Sequence, residues 1–214
     1  MSCRFNTFAL LFGLAAGLGS SPATAQRRPV TQALATVGIS GQGVAIVPVN
    51  LLVIEPSVEP GVFPAERVAT LRRIDSVLAD DAAVRAPDVN WISADELRRI
   101  ARRSGGLMGD PNQMGQSVMR AWSMATVPDP LRSNLRKLLA AAGGWRYALI
   151  PASVTFQSDS LGALEARMSI VLADVRTGKV VWRSVARGSG DTPDQALKSA
   201  VATVFPVDDG NEES

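Results

Sequence analysis

The chain has 214 residues, 46% of them hydrophobic, a formal net charge of +2, one cysteine and no histidine. Without histidine, a Ser-His-Asp triad, a histidine-bound metal and a histidine acid or base are all excluded. The near balance of charge gives no indication of a surface for nucleic acid, and none is predicted as a partner.

The first 25 residues have the pattern of an export signal. Arg4 precedes an apolar run over residues 8–18, and small residues at 23–25 form a cleavage site. We therefore expect a cleaved signal peptide, a periplasmic chain that is not lipidated, and no transmembrane segment after cleavage. Cys3 leaves with the signal, so thiolate nucleophiles and thiolate metal ligands are excluded, and no metal or cofactor is predicted.

The rest of the chain divides at three points. Residues 26–42 are polar and contain glycine, and we predict a flexible leader. Residues 43–206 are expected to form a single α/β domain, since a chain of this length can bury one hydrophobic core. Within it, residues 107–143 form a predicted helical insert, and residues 207–214 form an acidic tail that is predicted to be disordered.

A buried strand and an amphipathic helix begin the predicted domain. Apolar residues fill positions 44–49, a density typical of a central strand. Over residues 65–80 apolar side chains recur at helical spacing, and Asp75 falls among the charged residues of the opposite face, which we expect to be solvated. The apolar positions of this helix are Val68, Leu71, Ile74, Val77 and Leu78.

A second strand and a second helix follow. The strand is predicted over residues 89–92, and Ser93 and Glu96 form a capping box that begins the helix. Its four arginines are expected to face solvent, and guanidinium groups pair well with phosphate, so they form a candidate site for an anionic glycan or lipid. The alternative interpretation is a solvated helix face with cations near its end. The four are Arg98, Arg99, Arg102 and Arg103.

Methionines distinguish the insert. Asp110 can begin a helix on which Met114, Val118 and Trp122 recur every four residues, and a further helix is predicted over residues 129–143. Methionine side chains adapt to varied surfaces, so this stripe is a candidate partner-binding surface. The alternative is that it packs on the sheet, as helical apolar stripes usually do. The candidate residues are Met108, Met114, Val118, Met119 and Trp122.

Three strands and a helix complete the pattern. One strand is predicted over residues 145–156. Alternating residues over 164–187 flank Arg176-Thr177-Gly178-Lys179, which predicts a β-hairpin with Gly178 in the left-handed conformation and Asp174 bonded to turn amides. Thr192 can cap the last helix. The order is strand, helix, strand, helix, two inserted helices, three strands and helix, which predicts an α/β (α+β) fold with a mixed sheet of about five strands.

Three of these segments resemble a family of envelope domains. They are VAIVPV at 44–49, YALIPASV at 147–154 after a Gly-Gly helix end, and LADVRTGKVVW at 172–182 before a capped helix. They resemble the periplasmic domain shared by the curli secretion-channel lipoprotein, the lipoprotein activators of penicillin-binding proteins and the amino-terminal domain of the Tol-system propeller protein. The resemblance implies a domain that is not an enzyme, with no catalytic residue and no cofactor. The lipidated cysteine of many relatives is missing here.

Two functions follow as hypotheses. The first is a non-catalytic periplasmic accessory or adaptor protein that docks onto another cell-envelope protein, as the resemblance implies. The alternative is an envelope protein that binds a small ligand or an anionic glycan or lipid. The sequence leaves open which partner is bound and whether copies of the chain associate as a homo-oligomer.

Overall fold

The computed structural model describes residues 31–159 and 162–206. The predicted signal peptide, the first residues of the predicted leader and the predicted tail over 207–214 lie outside these residues.

The described residues form six strands in one mixed sheet, with four α-helices, which confirms the predicted α/β fold. The sequence indicated one strand fewer, because β2 has only three residues. The strands are β1 (Gly43–Ile46), β2 (Leu52–Ile54), β3 (Asn90–Ile92), β4 (Tyr147–Ser158), β5 (Leu164–Asp174) and β6 (Lys179–Gly190). The helices are α1 (Arg67–Arg85), α2 (Ala94–Arg103), α3 (Leu131–Ala141) and α4 (Pro193–Val204).

The strand order is β3-β1-β4-β5-β6, and β2 pairs with β4 on the side that also pairs with β1. β1 is parallel to β3 and β4, and β2 is parallel to β4. The other two pairings, β4 with β5 and β5 with β6, are antiparallel. The sheet is therefore parallel in one half and antiparallel in the other, and β6 lies at its antiparallel edge.

Each face of the sheet has its own hydrophobic core. One core contains apolar side chains of α1 and α4, and the other contains those of α2, α3 and the insert. The central strands are therefore buried on both faces, which explains why Val171 and Ala173 of β5 are buried although they interrupt the alternating pattern. On α1, Ile74, Val77 and Leu78 are buried as predicted, but Val68 is 60% exposed.

The hairpin and the last helix have the predicted local structure. Gly178 has φ of 77°, and the Asp174 carboxylate accepts hydrogen bonds from the backbone amides of Arg176 and Thr177 at 2.9 and 3.1 Å. The hydroxyl of Thr192 accepts from the amide of Gln195 and caps α4.

Helix α4 lies directly on the backbone of β6 at Gly188. A Cβ at this position would lie 2.1 Å from the Ala200 nitrogen and 2.6 Å from the Ala196 carbonyl oxygen. Only glycine permits this approach, and the small side chains of α4 allow the helix to come this close.

The described part of the predicted leader is packed against the domain. Leu34 and Ile39 are buried, and residues Thr36–Ile39 form a 3₁₀ helix. The amide of Leu34 donates a 2.8 Å hydrogen bond to the Val204 carbonyl at the end of α4. The apolar side chains of this segment thus extend the core that α1 and α4 share.

The first half of the insert is not the α-helix that the sequence predicts. This segment forms two short 3₁₀ helices, Pro111–Gln113 and Gln116–Arg120. Gly115 lies between them with φ of 77°, a left-handed conformation that an α-helix cannot continue through. The second half forms α3, close to its predicted limits.

Candidate functional site

A buried ion pair removes Arg98 from the predicted anion-binding face. The guanidinium is paired with the Asp75 carboxylate, and it also donates to Asp95 at 2.7 Å and to the Asn112 side-chain oxygen at 2.9 Å. The predictions that Arg98 faces solvent and that Asp75 lies on a solvated face are therefore wrong. Both were assigned by helical periodicity, and each residue is buried because the other is there to neutralise it.

The electrostatics of this pair depend mainly on burial. Desolvation raises the pKa of Asp75 to about 6, against the opposing effects of the Val49 amide and of Arg98. The amide of Val49 donates to the Asp75 carboxylate at 2.8 Å. Burial alone would lower the pKa of Arg98, but the charges of Asp75 and Asp95 outweigh it and the pKa is raised. The pair connects α1, α2 and the segment after β1.

The other three arginines of the predicted anion site are on or near the surface. Arg99 forms a 2.7 Å ion pair with Glu96 on the same helix. Arg102 and Arg103 are exposed and form no ion pair with any residue that the structure describes. The structure therefore does not bring the four arginines together, and anion binding by Arg99, Arg102 and Arg103 stays a prediction.

The predicted partner-binding stripe is divided between core and surface. Met114 and Met119 are buried in the core that α2 and α3 share, and Met108 packs against the same core while partly exposed. Val118 is 42% exposed and Trp122 is half-buried. Met108, Val118 and Trp122 are thus the candidate residues with surface that a partner could contact, and their role in binding stays a prediction.

Arg183 of β6 attaches the insert to the sheet edge. Its guanidinium donates to three backbone carbonyls, those of Met119, Ala121 and Met124, at 3.0, 2.7 and 2.7 Å. It also lies 5.4 Å from the centroid of the Trp122 ring, a cation–π distance. Burial lowers the pKa of Arg183. Sequence reasoning missed this residue because its partners are about sixty positions away and are backbone atoms.

The outer side of β6 is covered at its start. The amide of Val180 donates to the Ala125 carbonyl at 2.9 Å, and the amide of Val127 donates to the Gly178 carbonyl at 2.8 Å. Further along, the Thr31 hydroxyl donates to the Val185 carbonyl at 2.7 Å. No strand in the described part of the chain pairs with the outer side of residues 187–190.

Across 31–159 and 162–206, no group of three or more histidine, cysteine, aspartate or glutamate residues is placed to hold a metal ion. Nor is any helix of these ranges both long enough and apolar enough to span a bilayer.

No family model matches the chain, and no curated protein matches its sequence. Solved structures with a distant likeness to the chain include the following three. The LpoB C-terminal domain from Escherichia coli is 19% identical with a TM-score of 0.35, over 71% of this chain and 85% of that one. The PelC dodecamer from Paraburkholderia phytofirmans is 15% identical with a TM-score of 0.37, over 81% and 93%. Lipoprotein GNA1162 from Neisseria meningitidis is 12% identical with a TM-score of 0.28, over 69% and 80%.

These values describe a distant likeness. What those three proteins bind or assemble into cannot be assigned to this chain on that basis. The resemblance to the curli channel and to the Tol-system protein stays a prediction. So does the absence of lipidation, which rests on the position of Cys3 alone.

Proposed function

We propose that this chain is a non-catalytic accessory protein of the cell envelope, which docks onto another envelope protein through the outer side of β6. One observation carries the proposal. β6 has 12 residues, and the hydrogen bonds from the described chain to its outer side extend from the preceding turn to Val185, so that residues 187–190 have no neighbouring strand among the described residues. An exposed strand edge offers amides and carbonyls to an added strand.

The proposed occupant is an extended segment of the partner protein. Residues 125–127 lie beside the start of β6, with an antiparallel bridge between Thr126 and Lys179, and Thr31 lies beside Val185. The added segment would pair with residues 187–190, beyond Thr31. Val181, which is 51% exposed, and Val118, which is 42% exposed, offer further apolar contacts on β6 and on the insert. A second copy of the chain is the alternative occupant.

A non-catalytic role is supported by the chemistry of the groups that the chain contains. The carboxyl of Asp75 has the raised pKa that often marks a catalytic acid or base. Its side chain is 3% exposed, however, and Arg98 and the Val49 amide occupy its oxygens. A substrate could not reach it without separating α1 from α2.

The experiment is site-specific photo-crosslinking in cells of the source organism. A benzoylphenylalanine residue replaces Val118, and the control position is Val84, which is 79% exposed on α1. We expect a covalent adduct with one envelope protein from position 118 and none from position 84.

A backbone substitution tests whether the edge itself is used. The Val185 carbonyl points outward to Thr31, so the amide of Arg187, two residues further, is expected to point outward as well. Arg187→Pro removes this amide and should abolish the adduct from position 118, whereas Arg187→Ala should preserve it. An adduct with twice the mass of the chain, equal adducts from positions 118 and 84, or an adduct that survives Arg187→Pro would each contradict the proposal.

A further inference from the structure

A basic trough lies at the end of the sheet where β1, β3 and β4 begin. Two open cavities of about 960 and 850 Å³ meet there and share Gly144, Trp145 and Arg176 as walls. Cationic side chains from α3, from the start of β4 and from the β5–β6 turn line them. The basic trough is defined by Trp145 and by Arg132, Arg136, Lys137, Arg146 and Arg176.

Carboxylates do not balance these cations. Of the described residues that line the larger cavity, one is acidic, Asp129. Its carboxylate accepts a hydrogen bond from the Ser133 amide at 3.2 Å. Arg146 is paired with Asp174 at 2.7 Å. Arg136 and Lys137 are exposed and have no ion pair with any residue in the described ranges. The trough therefore keeps an excess of positive charge.

Two of the arginines are fixed by carbonyl groups. Arg132 donates to the Arg176 carbonyl at 3.2 Å, and Arg176 donates to the Gly144 carbonyl at 3.3 Å. Because these acceptors are neutral, both guanidinium groups are held at the wall of the larger cavity and their positive charges are not compensated by these bonds. Arg132 and Arg136 also stand four residues apart on α3, where like charges repel unless an anion lies between them.

Trp145 supplies a flat wall between the two cavities. Its indole lies against the backbone of Gly43, where a Cβ would come within 2.2 Å of the ring atom Cε3. The ring is thus fixed from behind and borders both cavities. The C–H face of a pyranose ring packs well on such a surface, and the hydroxyl groups at its edge remain free to bond with polar neighbours.

We propose that the basic trough binds an anionic oligosaccharide, with a sugar ring on Trp145 and carboxylate or phosphate groups held by Arg136, Lys137 and Arg176. A saccharide chain suits the site better than a bilayer does, because the cations line concave cavities and two cavities in series accommodate more than one sugar unit. The proposal is independent of docking through β6.

Isothermal titration calorimetry at low salt tests it. Hexagalacturonate carries carboxylates, phosphorylated maltohexaose carries phosphates, and neutral maltohexaose is the uncharged probe. The test variant is Arg136→Gln with Lys137→Gln, and the matched control is Arg67→Gln with Arg72→Gln, which makes the same charge change on exposed positions of α1. Both variants should keep the wild-type melting temperature, because all four side chains are exposed.

We expect at least one anionic probe to bind, the neutral probe not to bind, and the affinity to fall at least about tenfold in the test variant and less than about twofold in the control. Equal losses in the two variants would mean that net charge alone attracts the probe, which would overturn the proposal. The proposal also fails if neither anionic probe binds, or if vesicles of phosphatidylglycerol bind and the saccharides do not.

Discussion

The carboxylate of Asp75 on α1 and the guanidinium of Arg98 on α2 form an ion pair whose side chains are only 3% and 8% exposed. The same carboxylate accepts from the Val49 amide, so that three separate segments meet at one buried group. Desolvation offsets much of the attraction between two such charges. The pair therefore positions the two helices relative to β1 more than it adds net stability.

We expect Asp75→Ala to lower the free energy of unfolding by about 3 kcal/mol, since Val49 and Arg98 each lose a buried partner. Asp75→Asn keeps an oxygen that can accept from Val49, and Asp95 still pairs with Arg98, so this variant should cost less than Asp75→Ala, about 1 to 2 kcal/mol near pH 7. Urea denaturation followed by circular dichroism measures both variants. Equal losses would mean that the negative charge, and not the hydrogen-bond acceptor, is required.

The stability of the protein should depend on pH through Asp75. Burial raises the pKa of Asp75 to about 6 in the folded chain, against an ordinary value of about 4, so the folded chain binds this proton more tightly than the unfolded chain. The stabilisation that comes from the tighter binding of this proton is therefore fully present below about pH 4. It is lost as the pH rises to about 6 and the folded chain releases the proton.

Urea denaturation of the wild type and of Asp75→Asn between pH 4 and pH 7 isolates this effect, because the other carboxyl groups are common to both. We expect the wild type to lose stability relative to Asp75→Asn as the pH rises through this range. Parallel curves would show that the pKa of Asp75 is the same in the folded and unfolded chains.

Gly188→Ala should destabilise the protein by about 3 kcal/mol or more, because the added Cβ meets backbone atoms of α4 and the helix must move. Gly38→Ala is the control, since a Cβ there has no heavy atom within 4 Å, and it should change the stability by less than about 0.5 kcal/mol. Thermal denaturation compares the two variants. A Gly188→Ala protein as stable as the control would mean that α4 does not lie against β6 at this residue.

Arg183→Lys should loosen the insert without unfolding the domain. An ammonium group on a flexible chain cannot bond the carbonyls of Met119, Ala121 and Met124 in the planar geometry of a guanidinium. In hydrogen-exchange mass spectrometry we expect amides of residues 118–124 to exchange about tenfold faster and those of α4 to be unchanged. Arg187→Lys, at an exposed position of the same strand, should leave both rates unchanged.

The hairpin and α4 were predictable because their causes are local. Alternation over a few residues, a glycine that must adopt positive φ and a hydroxyl that caps a helix can all be read from consecutive positions. The sixth strand could not be predicted from sequence, because the three residues of β2 are too few to show a period and no helix cap follows them. The equally short β3 is marked by the capping box that follows it.

The candidate sites were less predictable because they depend on contacts between distant segments. Helical periodicity assigned Asp75 and Arg98 to solvated faces, and neither position shows by itself that the other will neutralise it. The period of four from Met114 to Trp122 indicated an α-helix, but Gly115 was a visible contrary signal. The basic trough was also indicated by the sequence, because Arg132 and Arg136 repeat like charges at helical spacing and α3 contains no acidic residue.

The hydrogen bond between the Leu34 amide and the Val204 carbonyl brings the two ends of the described chain side by side. Residues 31–159 and 162–206 therefore begin and end at neighbouring points of the fold. A permuted chain that joined residue 206 to residue 31 through a short peptide, and that opened at a surface loop, would keep the same neighbours throughout the sheet and both cores.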